Sequence, residues 1–332
     1  MANYNLSNYP GGFPSGITIR GVPILQTHPG RVWWVDNSTL GNLDHAKNGS
    51  NANKGTFDAP FATIQFAVTS ARAGKGDIIF VKPGHAETIT AAAGLVLSTA
   101  GVAIIGLGSG STRPTVTLST ASTASVTVTA NNVTVSNLLF LSTVAACATV
   151  FNIANAQVAN DLTIDSCEFR DTSTTLNFVS VLVIGTTANI SDGLTFNNNR
   201  VIGKMGTPTA ATTAIVTASD AVRWTITNNY CSHQVLLAAT AVLIAAGATN
   251  IANSLIQRNI VVRPNTDASN PLMISNSGTS WLGTMVAENF AGQLSGATGL
   301  LMNTGSKASF INNYAMITGA ADKSALINPA AV

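Results

Sequence analysis

Four carboxylates crowd one short stretch: Asp161, Asp165, Glu168 and Asp171 fall within eleven residues, and Asp192 and Asp220 follow in later segments. A pair of carboxyl groups held roughly 5–9.5 Å apart across a glycosidic bond can supply the acid and the base or nucleophile of sugar hydrolysis. Asp161 and Asp192 each closely precede an apolar run, at Leu162 and Leu194, so they come together if those runs stack. Asp161, Asp165, Glu168 and Asp192 are therefore the candidates for glycoside cleavage. The competing reading makes them solvated turn residues and strand terminators. His85 and Glu87 invite an acid–base reading, against a packing role. His28, His45 and His233 have no His, Cys or carboxylate at ligand spacing, so no metal is expected. No GxSxG occurs, and residues 106–110 (GLGSG) fall short of GxGxxG with no helix after them. The expectation is no cofactor.

The surroundings of these residues are poor in charge. Of 332 residues, 46% are hydrophobic and only 9% charged, against roughly 25% in an average soluble domain. Ser, Thr and Asn supply the polarity. Net charge is +2 from 16 basic and 14 acidic residues, with no Lys/Arg cluster, so nucleic acid is not an expected partner. No apolar run reaches the ~18–20 residues that would cross a bilayer, so no membrane contact is expected. The first residues carry neither a basic region nor an apolar core, and no secretory leader is expected there. Cys147, Cys167 and Cys231 are odd in number and widely spaced, which argues for small buried hydrophobes over a disulfide framework or a zinc site.

What positions the carboxylates is a repeat. Segments of the form "TITNNY" recur; aligned on the first residue of the asparagine pair they fall at Asn137, Ser166, Asn198, Asn228, Arg258, Glu288 and Asn312. The spacings are 29, 32, 30, 30, 30 and 24 residues, and Leu107 and Val81 extend the series backwards to nine registers. A second apolar echo follows each about fifteen residues later, at Val150, Val181, Thr213, Ala241, Pro271, Leu300 and Ala325. Both runs are too short for helices and are bounded by turn residues. A constant period near thirty signals a solenoid; two or three short strands per period predict an all-β, right-handed parallel β-helix of about nine coils. In that fold Val, Ile, Leu and Phe stack inward, and the asparagines turn the corners, because Asn tolerates left-handed backbone and its amide both donates and accepts. The expected corner ladder is Asn137, Asn198, Asn228, Arg258, Glu288 and Asn312, with Arg258 and Glu288 as an ion pair between coils.

Two segments precede the repeat. Residues 60–73 carry Phe61, Ile64, Phe66, Ala67, Val68 and Ala71 at mostly helical spacing. That predicts a short helix capping the open end, with Asp58 as its N-cap and Gly74 after its last turn. Residues 1–54 read as an extended arm, rich in proline over the first 35, that needs a partner to hold it; residues 55–332 read as the capped β-helix, with coils over about 77–330. Ile17, Ile19, Val22, Ile24, Leu25, Trp33 and Trp34 are the arm's expected contacts.

Residues 55–89 (GTFDAPFATIQFAVTSARAGKGDIIFVKPGHAETI) resemble the entry to the pectate-lyase-like β-helix superfamily, in which a PFxTIQxA cap helix precedes a GDxIxVxPG first coil. With residues 101–118 and the arm at 16–35, the chain is most similar to β-helix virion proteins of tailed bacteriophages. The resemblance implies a structural, non-enzymatic protein of the virion, most like head decoration proteins. Its implied partners are the major capsid protein or another shell protein through the arm, and further copies of itself, with a trimer favoured. Two alternatives stay open: a tailspike-type polysaccharide depolymerase and a carbohydrate-binding β-helix. The DD and GHG of polygalacturonases, and the calcium-binding aspartates and RxPxxR of pectate lyases, are absent from the sequence.

Overall fold

The computed structural model describes residues 17–19, 22–24, 30–37, 48–204, 212–232, 242–247, 249–266, 273–276, 281–295, 308–317 and 324–327. Short strands wind into a right-handed parallel β-helix with three sheets along its length, of ten, ten and seven strands. A typical turn runs Thr163–Asp165 in the first sheet, Glu168–Asp171 in the second and Ser180–Ile184 in the third. Each strand pairs in parallel with its counterpart about thirty residues away.

Alternation within each three-residue strand builds the core. Successive side chains point to opposite faces: in the first sheet the middle residue faces in, whereas in the third, as in Phe151–Ile153, the two end residues do. In the first sheet one inward column therefore reads Trp33, Ile79, Ile104, Val135, Ile164, Phe196, Ile226, Ile256 and Val286. In the second, Phe140 stacks on Phe169 at 5.2 Å between ring centroids.

Nine expected registers match nine strands of the first sheet. A tenth, Val32–Val35, pairs ahead of them with Ile78–Val81. Trp33 and Trp34 thus lie within the β-helix and not in the arm. Trp33 faces inward and stacks on Phe61 at 5.6 Å; Trp34 packs on Phe57 and Phe80 at 4.9 and 5.1 Å. The boundary expected at residue 54 consequently moves to about residue 30. Ile17–Ile19 and Val22–Ile24 form a two-stranded antiparallel sheet of their own, while Leu25 lies outside the described residues. Complete three-stranded turns number seven among the described residues, the count of strands in the third sheet, fewer than the nine expected. The last echo, near Ala325, does not extend the third sheet: Ser324–Ile327 runs antiparallel along Asn313–Ile317 in the second.

The cap helix spans Ile64–Ser70, shorter than expected, and its N-cap is Thr63, whose hydroxyl accepts from the Phe66 N–H at 3.2 Å. Asp58 lies too early to cap it, because Phe61 is still extended. The Phe61 N–H donates to the Trp34 carbonyl and its own carbonyl accepts from Asp36. Helix and first coil are clasped by buried Asp77, which accepts from the Arg31 and Arg72 N–H groups, the Trp33 indole and the Arg72 guanidinium. Burial pushes the Asp77 carboxyl upward, but these donors outweigh it and hold the pKa down at about 2.

Candidate functional site

The four candidate carboxylates do not share a cleft; two corners and two sheets divide them. Asp161 sits at the corner between third and first sheets, where one residue per coil adopts left-handed backbone: Asn132, Asp161, Gly193, Arg223, Asn253 and Gly283, with φ of 50–73°. The Asp161 side chain lies over Gly193, where a Cβ would come within 2.1 Å of its Oδ1. Arg223 approaches the same oxygen at 3.9 Å from two coils away. Asp192 is the neighbour of Asp161, as their spacing suggests: the Asp161 N–H donates to the Asp192 carbonyl at 2.7 Å. The Asp192 carboxylate accepts the Val222 N–H at 3.0 Å and so shapes the next turn.

Asp165 faces outward on the first sheet and ends a hydrogen-bonded row. Its oxygens accept from Ser166 Oγ at 2.9 Å, Asn197 Nδ2 at 3.1 Å, Asn198 Nδ2 at 3.2 Å and Ser136 Oγ at 3.5 Å. Glu168 starts the adjacent strand of the second sheet and is only 5% exposed. Arg113 Nη1 binds its Oε2 at 3.2 Å, and Arg170 binds Oε1 through Nε at 2.9 Å and through Nη2. Both carboxylate oxygens of Glu168 are thus taken up by guanidinium donors. Asp171, from the same cluster, is buried at the strand's end and accepts the Phe178 N–H at 3.0 Å; burial pushes its pKa up to about 7 against that bond and nearby Lys204.

His85 and Glu87 likewise serve the scaffold. The Asn37 N–H donates to His85 Nδ1 at 3.1 Å, which leaves Nε2–H to donate to Glu87 Oε2 at 3.3 Å. Glu87 Oε2 also accepts the Ile64 N–H at the start of the cap helix. Cys147, Cys167 and Cys231 are free and buried, and burial pushes their pKa values up to about 11, 12 and 12. Among the described residues, no group of three His, Cys, Asp or Glu could hold a metal ion. A shallow depression of about 430 Å³ beside Arg223, Thr225, Asn253, Leu255, Gly283 and Met285 includes none of the candidate carboxylates.

At the corner between first and second sheets, the expected ladder positions all adopt left-handed backbone: Asn137, Ser166, Asn198, Asn228, Arg258, Glu288 and Asn312 have φ of 49–57°. Arg258 Nε meets Glu288 Oε2 at 2.9 Å, in the open. The amide ladder itself, however, runs one residue later, through Asn199, Asn229, Asn259, Asn289 and Asn313. Each is at most 1% exposed. The Nδ2 groups of Asn229, Asn259 and Asn289 donate to the Oδ1 of the next asparagine at 2.9–3.0 Å. The left-handed residue turns its side chain out and so throws its successor inward, where Leu138 and Cys167 fill the first two coils and an amide ties the later strand ends together.

One residue further on, the chain returns to the surface. Arg200, Tyr230, Ile260, Phe290 and Tyr314 are in direct register on successive strands of the second sheet. Arg200, Tyr230, Ile260 and Tyr314 are exposed and Phe290 partly so, with Ile202 and Val262 beside them also partly exposed. Tyr230, Ile260 and Tyr314 are 37%, 43% and 48% exposed, so an apolar and aromatic stripe runs up the rod's side. The sequence carried this stripe in plain view, as the residue after each asparagine pair.

No protein-family model matches the chain, and no curated protein does. Solved structures do. A rhamnogalacturonan lyase is 14% identical with a TM-score of 0.44, over 86% of this chain and 87% of the other. The pectate lyase Pel9A has the same identity and TM-score, over 86% and 76%. ORF18 of Geobacillus virus E2 is 12% identical with a TM-score of 0.37, over 76% of this chain and 57% of the viral one. At such identities they carry no activity over to this chain.

Proposed function

We propose that the chain is a structural β-helix of a tailed-bacteriophage virion, decorating the head and acting by lateral contact, not by catalysis. The observation that carries this reading is the exposed stripe Tyr230, Ile260, Phe290 and Tyr314 on a rod with few charges. A contiguous apolar patch on a soluble protein marks a surface that meets another protein. The carboxylates support it from the other side. Asp165 and Glu168 are engaged by neighbouring donors, and Asp161 and Asp192 belong to a different corner. The arm, residues 1–29, is the proposed anchor to the capsid shell. Its hairpin Ile17–Ile19 and Val22–Ile24 pairs with no other sheet among the described residues, and a lone hairpin is marginal in water.

The test is mass spectrometry of purified particles with copy number per particle. Hundreds of copies support head decoration; a few tens or fewer place the chain at the tail or a vertex, and absence overturns the virion reading. Deleting residues 1–29 is expected to leave a soluble rod that no longer joins particles.

A further inference from the structure

An arginine without a carboxylate partner among the described residues stands at one end of the lateral stripe. Three arginines stand on the outer face of the second sheet or at its margin: Arg113, Arg170 and Arg200. Glu168 is the one carboxylate facing out from that sheet among the described residues, and it is already engaged by Arg113 and Arg170. Arg200 stands in register between Glu168 and Tyr230, exposed, with no carboxylate partner among the described residues. Among the residues whose side chains are described, the outward positions in register from Tyr230 to Tyr314 carry no charge, and at the adjoining corner Arg258 and Glu288 pair with each other.

We infer that this face docks a protein surface that is apolar opposite Tyr230, Ile260, Phe290 and Tyr314 and carries a carboxylate opposite Arg200. The inference rests on the structural role proposed above and names the chemistry of the partner. An apolar stripe alone leaves the register of docking along a rod undefined, because each coil presents a similar step. A single unpaired guanidinium at one end of the stripe removes that ambiguity. An Arg opposite a carboxylate forms two parallel hydrogen bonds, while the wrong register leaves the charge facing apolar atoms and is disfavoured. Arginine also suits the position because its flat, weakly hydrated group tolerates partial burial beside a tyrosine ring.

The experiment is rebinding of purified full-length chain to particles that lack it, followed by co-sedimentation at several salt concentrations. Arg200→Glu is expected to weaken binding by about tenfold or more at low salt, while Arg200→Lys stays closer to the native chain. High salt is expected to weaken the native chain and to change Arg200→Glu little. Ile260→Asp is expected to abolish binding. Arg200 is exposed, so Arg200→Glu decides the matter if Ile260→Asp misfolds, as circular dichroism would show. If the native chain does not rebind and is absent from particles, the virion reading falls and this inference with it. If the native chain rebinds and Arg200→Glu binds equally well, the docking inference falls and the virion reading stands. Should ultracentrifugation show Ile260→Asp turning an oligomer into a monomer without change in particle binding, the face meets other copies of this chain and the inference is overturned.

Discussion

At the scale of single residues, each asparagine pair divides two tasks that the sequence shows as one motif. The first residue supplies backbone freedom, and the second supplies an amide to the interior. Replacing Asn228, with φ 57°, by Ala costs about 1 kcal/mol, the penalty for left-handed backbone with a Cβ and no local amide. Replacing Asn229 by Ala is expected to cost about 3 kcal/mol or more. It strips the Asn199 N–H of its acceptor and the Phe196 carbonyl of its donor inside the rod. Denaturant unfolding of the two variants checks the difference. The motif and its period were legible in the residues, but the division of labour was not. Both positions hold asparagine in three of the coils, and only the backbone geometry shows which one turns inward. Ser166–Cys167 and Arg258–Asn259 held the clue, since their outer members vary freely in polarity while the inner ones stay small or amide-bearing.

At the scale of elements, the cap helix, the strand Val32–Val35 and the strand Ile78–Val81 meet at Asp77. Its carboxyl is held at about 2, below the ordinary value of 3.8. The stabilisation is therefore present above about pH 4 and is lost as pH falls through 2. Asp77→Asn is expected to lower stability by on the order of 2 kcal/mol at pH 7, with the gap to the native protein closing near pH 2. Thermal melts across that range test it. The helix was visible in its apolar spacing and the strands in their β-branched runs. Val32–Val35 was hidden because tryptophans beside prolines, read without partners, look like an arm. Its membership depends on pairing with a strand 46 residues away, which no local pattern announces. The carboxylate candidates were misleading for a similar reason. The spacing of Asp161 and Asp192 does bring them together on neighbouring coils, but one corner of left-handed backbone within a coil sends Asp165 and Glu168 to different sheets.

At the scale of the whole molecule, contacts run mostly between successive coils, so stability is close to a sum of coil and interface contributions. Deleting residues 200–229, one full period that rejoins Asn199 to Tyr230, is expected to give a soluble rod shorter by about 4.8 Å. Deleting fifteen residues from the same region puts a strand of one sheet where another belongs and is expected to yield insoluble protein. Small-angle scattering and expression yield distinguish the two. The far end of the rod has a further consequence. A stack of parallel coils is an open template, and two such rods placed head to tail could go on as a fibre. Ser324–Ile327, laid backwards along Asn313–Ile317, presents the second sheet's last edge with the opposite polarity. A second copy arriving to extend the stack meets a strand that runs the wrong way for its own first coil. At this sheet the stack therefore ends on an edge that does not template another coil of the same kind.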